Sequence, residues 1–239
     1  MPFMFFDPTY LCFIAPAFLL MLYAQWRVRS AYSKWGKIAN SRHLTGAQAA
    51  QRIMQENGLY GLGIQPIGGE LTDNYDPRSK TLNLSQGSAT GSSVASLAIV
   101  AHELGHAQQD AQGNLLMAAR SGFVPAVNIG SRLGPIVFII GLFMTAMLSS
   151  SLGTIFMWAG IILFSTAFFF ALLTLPVELD ASNRAMKMLT TGGLLVGQDE
   201  VSGARSVLTA AALTYVAAMM MALLQLLYYV FLASGRRRR

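Results

Sequence analysis

Two histidines four residues apart lie on either side of a glutamate in the segment AHELGH at residues 101–106. In a helix, positions i and i+4 lie on one face, so the imidazoles of His102 and His106 can bind one Zn²⁺. Glu103 follows the first histidine directly and can act as general base towards a water molecule at the metal, then pass the proton to a leaving amine. Zinc lowers the pKa of its water from ~15.7 towards ~7 and polarises a carbonyl, which is chemistry that hydrolyses peptide bonds.

The sequence around this motif predicts the helix that the motif requires. Ser92 or Ser93 can cap a helix that runs from Val94 to about Gln112. The chain has 3 histidines, and two of them are in the motif. The competing interpretation is a helix with two satisfied histidines and an ordinary glutamate, but the helical context favours a metal motif.

A catalytic zinc ion usually takes three protein ligands and keeps one position open, so a third ligand must lie elsewhere. Glu178 and Asp180 directly follow an apolar segment, where Pro176 can begin a new helix at the membrane surface. The competing explanation is that acids are favoured at a helix start by the macrodipole. His43 is better explained as a solvated surface histidine. Solvation also explains the acids of the polar segments, namely Glu56, Glu70, Asp73, Asp76, Asp110, Asp199 and Glu200.

The composition places these residues in a membrane protein that also has a polar part. Of 239 residues, 54% are hydrophobic and 12% are charged, about half the usual charged share of ~25%. The mean hydropathy is +0.47. These values exclude a disordered chain, a collagen-like repeat and an ordinary soluble enzyme, because the charges are too few to solvate the surface of a globule.

The charge pattern and motifs exclude several classes of partner. The net charge is +6, but the one basic run is Arg236–Arg239, so the basic residues are assigned to lipid headgroups and topology, and no nucleic acid is expected. No GxGxxG motif opens a helix and no Walker lysine is present, so no nucleotide is expected. The single cysteine, Cys12, excludes a disulfide within the chain and a four-cysteine zinc site.

Four apolar segments are long enough to cross ~30 Å of hydrocarbon as helices. They run over residues 10–23, 133–150, 153–175 and 207–233. Residues 149–152, at the end of the second segment, connect it directly to the third, which predicts a tight helical hairpin. The first segment lacks a basic start and is followed by basic residues, so it is predicted to be an uncleaved anchor. The spans have no deep charge, which disfavours a transporter.

The fold class that follows is a mainly α integral membrane protein, with about four transmembrane helices and a small α+β zincin-like catalytic domain carrying HExxH on a helix. A helix capped by Thr45 is predicted over residues 46–56. Two strands are predicted at residues 63–67 and 80–84, with a turn between them at 72–77. A Gly/Ser loop is predicted at residues 85–93. Residues 80–84 are also a candidate to pair with an extended substrate. The predicted organisation is an anchor at 1–26, the zincin-like domain at 27–121, the hairpin at 122–175, a loop or helix with the third ligand at 176–206, and a helix with a basic tail at 207–239.

Lysines and arginines near the span ends predict the orientation, because cytoplasmic loops carry most of them. One side of the membrane receives residues 27–121 and 176–206, and it holds Arg27, Arg29, Lys34, Lys37, Arg42, Arg120, Arg132, Arg184 and Lys187. We expect this side to be cytoplasmic, in a bacterial inner or cell membrane. The four terminal arginines fall on the other side of the membrane, so they are an exception to this rule.

Five segments follow one another along the chain: LTDNYDPR at 71–78, LNLS at 82–85, AHELGHAQ at 101–108, LPVELDAS at 175–182 and LTAAALTYVA at 208–217. In these segments, and in their order, the chain resembles the YugP-type membrane zinc metallopeptidases. This family is similar in plan to the HtpX-type and CAAX-prenyl membrane gluzincins, which pair HExxH with a downstream Glu-x-x-x-Asp. The resemblance implies one Zn²⁺ per chain, held by His102, His106 and Glu178, with Glu103 catalytic. Ser182 stands where that pattern has Asp, and Asp180 is a candidate to orient a ligand imidazole.

Three further residues are candidates to stabilise the oxyanion, namely Asn183, Arg184 and Tyr215. The competing explanation for Arg184 is contact with lipid headgroups, and for Tyr215 it is a position at the membrane interface or packing. The function expected is a zinc endopeptidase that cleaves membrane-associated or misfolded polypeptides at the bilayer. The alternative is a non-catalytic membrane scaffold with a structural metal site. The expected partners are a polypeptide and the lipid bilayer, and the sequence makes no prediction of oligomeric state.

Overall fold

A computed structural model describes residues 8–148 and 151–235 of the chain. The predicted basic tail, the residues before Pro8, and residues 149–150 of the predicted hairpin turn lie outside this described part. The elements follow in the order α1 (Pro8–Trp35), α2 (Gly46–Glu56), β1 (Gly63–Ile67), β2 (Asn74–Asp76), β3 (Thr81–Ser85), α3 (Gln86–Thr90), α4 (Val94–Ala111), α5 (Leu115–Leu148), α6 (Ser151–Thr191) and α7 (Gly197–Gly235).

Within the described residues, four helices are long and apolar enough to cross a membrane: α1, α5, α6 and α7. They correspond to the four apolar segments of the sequence. Each continues past its apolar segment, with lengths of 28, 34, 41 and 39 residues, whereas ~20 residues span the hydrocarbon. The predicted domain limits at residues 26, 121, 175 and 206 therefore fall inside continuous helices.

Pro176 does not begin a helix, and that prediction was wrong. It lies inside α6, which continues without a break from Ser151 to Thr191. An interior proline removes one backbone hydrogen bond, and long helices with packed neighbours tolerate this loss. Glu178 and Asp180 are consequently interior helical residues, so a preference for acids at a helix start does not explain them.

The chain forms two compact units. The described residues of the first, which we call the span unit, are 8–23, 119–148, 151–175 and 215–235. The second, which we call the polar unit, comprises Ala24–Ala118 and Pro176–Thr214. The metal motif and all of the strands belong to the polar unit.

In the span unit, α5 and α6 pack as an antiparallel pair through glycines. A Cβ atom added to Gly134 would lie 2.7 Å from the Phe164 nitrogen, and one added to Gly141 would lie 2.5 Å from the Met157 nitrogen. As the residue number rises along α5, its partner number falls along α6, which is the pattern of a hairpin. The helix backbones touch directly at these glycines, as small residues allow in membrane helix pairs.

In the polar unit, α4 is mostly buried and packs against α2 and the sheet. Local caps define these helices: Thr45 forms a capping box with Gln48 at the start of α2, and Ser93 accepts a hydrogen bond from the Ser96 amide at the start of α4. Both helix starts agree with the sequence analysis. The predicted Gly/Ser loop contains the short helix α3.

The sheet has the strand order β1-β3-β2, with β1 parallel and β2 antiparallel to β3. The strands predicted at 63–67 and 80–84 are β1 and β3, but the turn predicted at 72–77 contains β2. The prediction that residues 80–84 pair with substrate does not hold for Thr81–Asn83. These residues are paired with β1 on one side and with β2 on the other, so they have no free edge to which a peptide could add.

Candidate metal centre

Helix α4 turns both histidines of the motif to one side. The Ser93 side chain fixes its start by accepting the Ser96 amide at 3.0 Å, and the helix then continues through His102 and His106 to Ala111. The two imidazole centroids are 4.9 Å apart. This arrangement follows from the i, i+4 spacing alone.

A glycine between the histidines lets α6 reach them. A Cβ atom on Gly105 would lie 2.5 Å from the carbonyl oxygen of Ala181, so the two helices touch through their backbones at this point. Glu178 lies one helical turn before Ala181 and is 1% exposed. Its Oε2 is 3.1 Å from Nε2 of His102 and 3.4 Å from Nε2 of His106.

These three side chains fit a zinc ion. Zinc bonds of about 2.0–2.1 Å in a tetrahedral site place ligand atoms about 3.3–3.4 Å from each other. The separations of Glu178 from the two imidazoles have this size, and all three ligand atoms lie within 4.8 Å of one another. Two imidazoles and one carboxylate are also a known donor set of catalytic zinc.

The backbone of β2 holds Glu103 in place. Its Oε2 accepts a hydrogen bond from the Tyr75 amide at 2.9 Å, and the residue is 9% exposed. Burial raises the pKa of Glu103, and this effect outweighs the opposing influence of His102 and His106. The carboxyl group is therefore more basic than an exposed glutamate.

The Tyr75 side chain fastens the same strand to α4. Its hydroxyl donates to Oδ2 of Asp110 at 2.6 Å, and the Lys80 ammonium donates to the same oxygen. Burial and the contact with Asp110 raise the pKa of the Tyr75 hydroxyl. Tyr75 is not among the functional residues predicted from the sequence, although it lies in one of the stretches that carry the family resemblance.

Gln109 is a second residue that the sequence analysis missed. Its Oε1 is 3.0 Å from Nδ1 of His106, and its Nε2 donates to the Val177 carbonyl and to Oδ2 of Asp180, both at 2.8 Å. Burial lowers the pKa of His106, but the nearby carboxylate of Glu178 outweighs it and leaves that pKa above its ordinary value. A signal for Gln109 existed, because it lies one turn after His106 on the predicted helix.

Asp180 contacts the imidazole of His106 only through Gln109. Arg184 donates from Nε to Asp180 Oδ2 at 2.7 Å and from Nη1 to the side chains of Gln108 and Gln112. The direct contact to a ligand ring comes instead from Ser182, whose Oγ is 3.3 Å from Nδ1 of His102.

The structure does not bring Asn183 or His43 to the histidine pair. Asn183 is exposed and, with Ser182, lines a cavity of about 300 Å³ between α6 and α7 in the polar unit. Tyr215 lies on α7 in the span unit, and its role stays a prediction. His43 is exposed and is not part of the cluster. The expectation that Glu200 is solvated was wrong: it is 6% exposed and accepts hydrogen bonds from the Ser41 and Val196 amides.

Comparison with known proteins agrees with this site. Residues 10–234 match the family described as "Putative neutral zinc metallopeptidase", and the chain belongs to this family. A relative is the "Putative membrane protease YugP" of Bacillus subtilis (strain 168), 40% identical over 218 residues that cover 91% of this chain and 93% of the relative. No solved structure matches the chain. The family membership predicted from the sequence is confirmed.

Proposed function

We propose that this protein is a membrane-embedded zinc endopeptidase, with one Zn²⁺ held by His102, His106 and Glu178 and with Glu103 as general base. The observation that carries the proposal is the buried carboxylate of Glu178 beside Nε2 of both histidines. A carboxylate buried to this degree needs positive charge beside it. Family membership and the name of the Bacillus relative support the same assignment.

Among the residues of the chain, Glu103 is the one to which we assign the catalytic role. When bound, zinc would polarise the scissile carbonyl and make a water molecule more acidic. Glu103 takes the proton from the attacking water and returns it to the leaving amine. The Tyr75 amide engages Oε2, so Oε1 is the atom that we assign to the water. A raised pKa suits this role, because the same carboxyl group must accept a proton and then release it.

The proposed substrates are membrane-associated or misfolded polypeptides. Four apolar helices and the relative named as a membrane protease support action at a bilayer. The excess of lysine and arginine beside residues 27–121 and 176–206 supports an active site on the cytoplasmic side of a bacterial cell membrane. We propose a polypeptide and the lipid bilayer as its partners.

A cleavage assay with matched variants tests this function. Detergent-solubilised protein is stripped of metal, reloaded with zinc and incubated with casein or a peptide library. Glu103→Gln should keep zinc and lose cleavage, because only the proton acceptor is removed, whereas His102→Ala and Glu178→Ala should lose zinc. Glu56→Gln, which alters an exposed acid on α2, is the control and should behave as the parent.

Two outcomes would reject the proposal. If Glu103→Gln cleaves as fast as the parent, Glu103 is not the base. If the parent holds one zinc per chain but cleaves no polypeptide, the site is structural and the protein is a metal-containing membrane scaffold.

A further inference from the structure

The carboxamide of Gln109 has contacts at both ends and is buried, with 0% exposure. One end, Oε1, faces Nδ1 of His106 at 3.0 Å. The other end, Nε2, lies 2.8 Å from the Val177 carbonyl oxygen and 2.8 Å from Oδ2 of Asp180. All of these residues belong to the polar unit.

The chemistry of the contacts fixes which end of the amide is which. A backbone carbonyl and an ionised carboxylate only accept hydrogen bonds, and Asp180 also pairs with Arg184. If the amide were flipped, its oxygen would face two acceptors and both hydrogen bonds would be lost in a buried place. The NH₂ group therefore faces Val177 and Asp180, and Oε1 faces His106.

The orientation of the Gln109 amide determines which ring nitrogen of His106 carries the proton. An amide oxygen only accepts, so Nδ1 of His106 must carry the proton. A neutral imidazole with a proton on Nδ1 has its lone pair on Nε2, and Nε2 is the atom beside Glu178. We infer that Gln109 is a positioning residue that selects the metal-binding tautomer of His106 and fixes its ring plane, and that Asp180 and Arg184 act through it.

The other histidine provides an internal contrast. Nδ1 of His102 lies 3.3 Å from the hydroxyl of Ser182, and a hydroxyl can donate or accept. That contact holds the ring but does not select a tautomer. The hydrogen-bond partner of His106 therefore selects its tautomer before metal binds, whereas the partner of His102 does not. This inference rests on the proposed metal site, but not on peptide hydrolysis.

A conservative pair of variants tests the role of Gln109. Gln109→Met keeps the length of the side chain and removes its hydrogen bonds. Gln108→Met is the matched control, because Gln108 contacts the same Arg184 but no imidazole. Zinc affinity is measured by competition with a chromogenic chelator, and the geometry of the site by the visible spectrum of the cobalt form.

We expect Gln109→Met to bind the metal about 10- to 100-fold more weakly, because the loss of a hydrogen bond to a ligand histidine typically has this effect. The cobalt spectrum should change as well. Gln108→Met should stay within about twofold of the parent. Unchanged zinc affinity and cobalt spectrum in Gln109→Met, or an equal loss in Gln108→Met, would overturn the inference.

A measurement on the parent protein does not depend on how the variants fold. The chain has 3 histidines, so ¹⁵N-histidine labelling gives a short spectrum, in which the exposed His43 is identified by its lack of coupling to the metal. With ¹¹³Cd in the site, we expect coupling from cadmium to Nε2 of His106 and a proton on its Nδ1. Coupling through Nδ1 would refute the inference. Metal binding of this kind without peptide cleavage would reject the proposed function alone.

Discussion

Gly105→Ala tests whether the contact between α4 and α6 creates the metal centre. The new Cβ would lie 2.5 Å from the Ala181 carbonyl oxygen and 3.1 Å from its Cα. An ordinary contact needs about 3.4 Å or more, so the two backbones must separate by about 0.9 Å at this point. Overpacking of this kind costs about 1–3 kcal/mol, while replacing a helical glycine by alanine returns about 1 kcal/mol.

The variant should therefore lose zinc more than it loses stability. Metal sites tolerate errors of about 0.2 Å in ligand distance, and Glu178 lies on the helix that must move. We expect an unfolding free energy lower by about 0–2 kcal/mol, but a zinc affinity at least tenfold weaker. A chelator competition assay and thermal unfolding measure the two quantities.

Gly122→Ala is the control for this experiment. Gly122 is also a helical glycine, in α5, and a Cβ there meets no atom within 4 Å. It should leave zinc affinity unchanged and stability equal or slightly higher. Parental zinc affinity in Gly105→Ala would refute the reasoning, because the site would then not depend on the close approach of the two backbones.

Three further predictions follow from the same contacts. Ser182→Ala removes the hydroxyl that contacts Nδ1 of His102. It should weaken zinc binding by only about two- to fivefold, since one neutral hydrogen bond is worth about 1 kcal/mol. A larger loss in the chelator assay would contradict this and show that the hydroxyl is essential. The pKa of Tyr75 is raised from 10.0, so above pH 10 the unfolded state loses this proton before the folded state does, and stability falls as the pH rises. Tyr75→Phe should flatten this alkaline loss in urea titrations, and an unchanged slope would contradict it. Removing zinc with a chelator should lower the thermal midpoint, because a ligand at 100 times its Kd stabilises the native state by about 2.7 kcal/mol; a midpoint independent of zinc would count against a specific site.

The parts of the fold that depend on neighbouring residues could be predicted. Thr45 and Ser93 define the starts of α2 and α4, because a cap satisfies amides only two or three residues away. The i, i+4 spacing likewise brings His102 and His106 together without help from the rest of the chain. The four apolar helices follow from composition, since each apolar segment is long enough by itself.

The parts that depend on distant residues were missed or wrong. Strand β2 has three residues, too few for a visible alternation, and it forms because β3 offers it hydrogen bonds. Sheet order is equally nonlocal, so nothing near residues 80–84 indicates that β3 is the central strand. Pro176 has the local features of a helix start, but continuity of α6 preserves more hydrogen bonds than a break would.

The sequence by itself determined the helix, the two imidazoles on one face and the glutamate beside them. The tertiary structure decided which carboxylate joins them, because His102 and Glu178 are 76 residues apart and meet only where Gly105 lies against Ala181. The tertiary structure also determined how Gln109 contacts His106, because hydrogen-bond acceptors on α6 orient its amide. Periodicity fixes the direction of a side chain within its own helix, but packing between helices decides what that side chain meets.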